Sequence, residues 1–269
     1  MAEPKKKKIV SADTGEEVAP NAYKIKDAAP VGNAAGLRIG AVVLWVVAIA
    51  FEVLALLVVL GKVDLHFMSQ LAQLIVFLVL DLACVIIGAQ LWKKANHIKP
   101  ASEKNKLTFW LWNNMGVIVC VIAFVPFIIL LLTNKNVDKK TKAIATVVAV
   151  IALLIGGVSS YDWNPVSQEQ QQAAMEALGN DNVYWTPFGK VYHTYVVVDE
   201  NGEITECCPH LNRSGELTRG SVEQAIAEGR TRLCSYCAKH DAITGVVTDD
   251  ADTGALEEAV EEAVEDPAA

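Results

Sequence analysis

The sequence predicts an all-α membrane four-helix bundle followed by a small α+β zinc-binding C-terminal domain. Three observations carry this. Four apolar runs of 20 residues or more fill the first 160 positions. The composition then turns abruptly polar. The polar part holds four of the six cysteines, two of them in "CSYC" at Cys234–Cys237. The predicted divisions are a basic arm (1–36), four transmembrane helices (37–160), a linker helix (161–182), a Cys/His module (183–248) and an acidic tail (249–269).

The arm carries Lys5–Lys8, Lys24 and Lys26. It does not read as a cleavable signal, because mixed residues separate its lysines from an apolar run too long for a signal core. The four runs are Leu37–Gly61, Ser69–Trp92, Leu107–Leu132 and Thr141–Ser160. At 1.5 Å rise per residue, each can cross a hydrocarbon core about 30 Å thick. Pro126 is expected to kink the third.

Short-loop lysines set the expected orientation. The arm and the second loop (Lys93, Lys94, Lys99, Lys104, Lys106) are basic, and four passes place both in the cytoplasm with the two termini. The third loop, "TNKNVDKKTK", opposes this with four lysines. The expected location is therefore a multi-pass cell-membrane protein with the bilayer as its first partner.

Glu52 and Asp81 lie deep in the first two runs. A charged, unpaired acid there costs about 2.5–3.5 kcal/mol on insertion scales. They read either as neutral acids hydrogen-bonding between helices or as a proton or cation path, the latter making the chain a channel or transporter. Asn113 and Asn114 would be their partners only if the bundle brought them near.

The stretch "NPVSQEQQQAAMEALGN" reads as a helix with a capping box at Ser167 and Gln170 and a stop at Gly179. Then "VYWT", "KVYHTYVVV" and "EITEC" read as strands of one small antiparallel sheet, with "TPFG" and "DENG" as turns. Ser221 and Gln224 cap a short helix that ends at Gly229, and "RLCSYC" reads as a strand entering a metal knuckle.

A module of about 70 residues has too small a core to be secure, and a structural metal is a common remedy. Zinc takes four tetrahedral ligands, usually Cys and His. Cys234 and Cys237 supply two, and the others come from His193, Cys207, Cys208, His210 or His240. Adjacent strand residues face opposite ways, so Cys207 and Cys208 are not expected to ligate together. A redox dithiol is less favoured, because "AKHDAITG" after the CxxC looks like a poor helix start.

The segment "VYWTPFGKVYH…CPHL…GSVEQAIAEGRTRLCSYC" resembles a small bacterial Cys/His module and is similar to the metal-binding domain of the Ada DNA-repair protein, which holds zinc through four residues in two pairs. The resemblance implies His193, Cys208, Cys234 and Cys237 as ligands. "TYVVVDENGEITEC" is inserted between His193 and Cys208 relative to that pattern, which leaves His210 as the alternate ligand. The whole chain also resembles four-pass membrane proteins of Gram-positive bacteria, a likeness that carries no activity.

The net charge of −8 comes from the tail, whose nine Asp and Glu face no Lys or Arg; the rest is close to neutral. Such a tail repels nucleic acid and reads as solvated. No Ser/His/Asp set, phosphate loop or HExxH appears, so the expected role is non-catalytic: a membrane-anchored zinc module, structural or binding a protein partner. A thiolate-based redox or alkylation sensor is the remaining alternative.

Overall fold

The computed structural model describes residues 24–135, 137–179, 181–200, 202–211 and 215–250. The Lys5–Lys8 cluster and the tail from 251 onward lie outside them. The elements in order are β1 (Lys24–Asp27), α1 (Ala34–Val59), α2 (Gln70–Ile98), α3 (Lys106–Asn113), α4 (Met115–Thr133), α5 (Lys139–Ser160), α6 (Gln168–Leu178), β2 (Val183–Trp185), β3 (Val191–Tyr192), β4 (Val196–Val198), β5 (Ile204–Cys207), a 3-10 turn (Pro209–Leu211), β6 (Glu216–Gly220), α7 (Val222–Ala227), β7 (Arg232–Leu233) and α8 (Ser235–His240). Two compact units form: residues 32–169, and residues 170 onward joined by the chain up to 31.

In the first unit α1, α2, α4 and α5 are each long and apolar enough to cross a membrane. Side-chain caps open three of them: Asn33 accepts from the Ala35 amide, Ser69 from Ala72, and Asp138 from Lys140 and Thr141. Apolar side chains such as Ile39, Val46, Val79, Ile122 and Leu154 stay exposed on the outside. An apolar exterior of this extent suits lipid rather than water. The inward stripes are small: Ala41, Ala48 and Ala55 on α1, and Ala145, Ala149, Ala152 and Gly156 on α5. Small residues let backbones approach closely, the usual packing between membrane helices. A Cβ at Gly156 would come within 2.7 Å of Cys120 Sγ.

Hydrogen bonds fix the ends of the bundle. At one end Gln70 Nε2 donates to Val58 O, and Asn134 Nδ2 donates to Val59 O. At the other, Arg38 donates to Asn96 Oδ1 and Lys99 O, Trp92 Nε1 donates to Trp112 O, and Lys93 Nζ donates to Ser159 O. The four long helices therefore run up, down, up, down.

The third apolar run departs from expectation. It breaks into α3 and α4 at Asn114, which sits at φ −105°, ψ 23°. Asn113 and Asn114 each donate from the side chain to a carbonyl four residues back, and Asn114 Oδ1 accepts from the Asp162 amide. These side chains compete with the helix ladder and end it. Pro126 lies inside α4, which continues through it. His97 occupies the last turn of α2, with Nε2 3.6 Å from Asp162 Oδ2. Of the third-loop lysines, Lys139, Lys140 and Lys142 belong to α5, and Lys142 Nζ donates to Leu132 O and Asn134 O at the end of α4.

The second unit holds three small sheets rather than one antiparallel sheet. β6 is central between β1, parallel to it, and β2, antiparallel. β3 pairs parallel with β7, and β4 pairs antiparallel with β5. Two strands were not expected. "ELTRG" forms β6, and Lys24–Asp27, read as part of a basic arm, forms β1 and pairs residue for residue with Glu216–Arg219. Arg219 clamps Asp27 at 2.7 Å, and Gln224 Nε2 donates to Ala29 O. The Ser221–Gln224 capping box on α7 forms as the sequence implies.

Candidate metal centre

Four loop or element-end positions converge in the second unit. His193 follows β3 and is locked to Tyr184 by two backbone hydrogen bonds, 2.8 and 2.7 Å. The expected long strand over "KVYHTYVVV" stops there and resumes as β4. β4 and β5 then form a hairpin with Val196 opposite Cys207, and the Cys208 amide donates to Tyr195 O at 2.9 Å. The inserted segment therefore folds back on itself and returns Cys208 to the neighbourhood of His193. Cys234 follows β7 as the N-cap residue of α8, and Cys237 lies in that helix. The Cys234 amide donates to Tyr192 O, which ties the CxxC to β3.

The result is a buried tetrad of His193, Cys208, Cys234 and Cys237, whose donor atoms all lie within 4.8 Å of one another. The three cysteines are fully buried and His193 is 4% exposed. Cys208 Sγ lies 3.8 Å from Cys234 Sγ, and His193 Nδ1 lies 3.7 Å from Cys237 Sγ. Four ligands about 2.0–2.3 Å from a tetrahedral zinc stand roughly 3.5–3.8 Å apart, so these separations are those of tetrahedral edges. They are too long for a disulfide, whose S–S bond is about 2.05 Å.

Burial pushes the Cys208 thiol up to about 11. A hydrogen bond between Cys234 and Cys237 raises the first thiol and holds the second below the ordinary range. Of the other sequence candidates, Cys207 and His240 stand apart from the tetrad, and His210 lies against it. Cys207 is half-buried on β5, one position out of register. His240 stacks on Tyr195, with ring centroids 3.8 Å apart. His210, on the 3-10 turn, brings Nδ1 within 3.2 Å of Cys234 Sγ. It contacts that sulfur from outside the tetrad.

One sequence expectation is corrected. The CxxC opens a helix: α8 begins at Ser235, whose amide donates to Asp249 Oδ1 at 2.7 Å. The Asp249 carboxylate provides the first-turn acceptor that Cys234 as N-cap does not. A carboxylate 14 residues downstream cannot be paired with this amide by local spacing, so the helix start was not visible in the sequence.

Glu52 and Asp81 face the interior of the first unit, 6% and 0% exposed. Asn113 and Asn114 do not reach them; they bond instead with Asn96 and the Asp162 amide at the far end of the bundle. No protein-family model, curated protein or solved structure matches the chain.

Proposed function

We propose that this chain is a multi-pass membrane protein whose four-helix part anchors a zinc-binding Cys/His module at the cytoplasmic face, and that the module serves a protein partner rather than catalysis. The observation that carries this reading is the convergence of three thiols and one imidazole, all buried, within 4.8 Å. Three sulfurs and a nitrogen, two pairs of which stand 3.7 and 3.8 Å apart, suit zinc, whose structural sites are commonly Cys₃His. Four protein ligands also leave no coordination position for water or substrate, the property that separates structural from catalytic zinc. The likeness to the Ada metal-binding domain points to the same four residues and belongs to this reading.

The β1–β6 pairing supports the even number of passes. β1 precedes α1 and β6 follows α5 by more than 50 residues, yet both belong to one sheet. This pairing supports a topology in which the chain before α1 and the chain after α5 lie on one side of the bilayer. The lysines of that side, Lys24, Lys26, Lys93, Lys94 and Lys99, favour the cytoplasm. A reducing cytosol would keep the thiols free for metal.

A redox dithiol is the second reading, favoured by the CxxC at the start of α8 and by the low-lying Cys237 thiol. Metal analysis of the full chain, extracted in detergent under reducing conditions, separates the two. The proposal expects one zinc per chain, lost in Cys234→Ser and Cys237→Ser. A metal-free chain with a Cys234–Cys237 disulfide after mild oxidation would replace it with the redox reading.

A further inference from the structure

Glu52 and Asp81 project into the interior from antiparallel helices joined by the short first loop. Glu52 lies about 10 Å from the loop end of α1, and Asp81 about 16 Å from the loop end of α2. The two depths differ by about one helical turn. Both are buried among Ala48, Ala55, Leu78, Val85, Phe124 and Phe127. Neither carboxylate oxygen of Asp81 has a hydrogen-bond partner among the described residues. An acid that held two helices together would show a donor or acceptor on the facing helix, so packing does not account for it.

Among the described residues, no element packed around the pair supplies a compensating charge. α1 offers none within the core, α2 adds Cys84 and α4 adds Cys120, both thiols. α5 turns only Thr141, Ala145, Ala149, Ala152, Gly156 and Ser160 inward. No Lys, Arg or His is buried among the described residues of this unit. Arg38, Lys93 and His97 are engaged at the far end with Asn96, Ser159 and Asp162. A hard metal cation takes six or more oxygen ligands, and apolar walls supply none beyond the two carboxyls. The one ligand that neutralises an acid without further donors is a proton. Of the pair, Asp81 is the more deeply enclosed, 0% exposed against 6% for Glu52, and both of its carboxylate oxygens lack a hydrogen-bond partner among the described residues.

We infer that Glu52 and Asp81 form a proton-binding site inside the helical unit, with Asp81 holding the proton at neutral pH. Asp81 bound to the proton is neutral beside Glu52. Its release would leave two like charges in a dry space. Proton exchange at this site therefore requires water or a carrier to enter the bundle, and the helical unit can respond to protons instead of acting only as an anchor. The inference concerns residues 32–169 alone and does not depend on the metal centre.

The test is infrared spectroscopy of the full chain reconstituted in lipid vesicles at about pH 7, where exposed carboxyls are ionised and silent in the carboxylic-acid C=O region. A protonated-carboxyl band is expected. It should move to lower wavenumber when aspartate is labelled with ¹³C at its carboxyl, disappear in Asp81→Asn, and persist in Asp162→Asn, the control for the other buried aspartate. The labelled wild type and the Asp162 variant decide the matter even if Asp81→Asn fails to assemble. Absence of the band, a band insensitive to aspartate labelling, or its loss in Asp162→Asn would overturn the inference.

Discussion

Cys207 and Cys208 are neighbours in the chain with opposite fates. Cys208 is fully buried in the tetrad, while Cys207 pairs with Val196 at the edge of a hairpin. Cys208→Ser should therefore remove zinc and Cys207→Ser should leave it, read as metal per chain after gel filtration; equal losses would show that the register is wrong. The two histidines separate in the same way. His193→Ala deletes a ligand and should abolish stoichiometric binding. His210→Ala deletes the imidazole that contacts Cys234 sulfur, and loss of such an outer contact typically weakens metal binding about 10–100-fold. Chelator competition measures both, and the opposite ranking would make His210 the ligand. The alternation rule for strands separated the two cysteines in the sequence. It could not choose between the histidines, because that choice depends on how the β4–β5 hairpin returns the chain.

Among the elements, the long helices were legible because each is a run of apolar residues, and three of the four open with a side-chain cap. The break at Asn114 was not, since it comes from side chains bonding back onto the ladder and onto Asp162. β1 was hidden for another reason. "KIKD" has neither length nor alternation, and its strand conformation comes from β6, a partner nearly 200 residues away. Deleting Lys24–Asp27 should strip β6 of one neighbour, removing backbone hydrogen bonds worth about 0.5–1.5 kcal/mol each. Zinc should then be released at a lower temperature in a thermal ramp, and an unchanged release profile would show β1 to be dispensable. In the helical unit, Gly156→Val forces a side chain against Cys120, and overpacking of this kind costs about 1–3 kcal/mol. A lower midpoint of thermal unfolding in detergent is expected, with zinc content unchanged.

For the molecule as a whole, one sheet draws on chain from before and after the four long helices, and the proposed topology therefore has an even number of crossings. Single cysteines at Val63 in the first loop and at Ala255 in the tail, in a background without accessible native thiols, report this directly. An impermeant thiol reagent applied to intact cells should label the first loop and spare the tail until the cells are opened. Tail labelling in intact cells would place the module outside. Zinc uptake by buried thiols must also expel protons, so acidification should release the metal, as followed with a zinc-sensitive dye. X-ray absorption at the zinc edge of the detergent-extracted protein reads the four ligands in the intact chain. Three sulfurs at about 2.3 Å and one nitrogen at about 2.0–2.1 Å are expected. Four sulfurs, an oxygen-rich shell or a chain without zinc would contradict this ligand set.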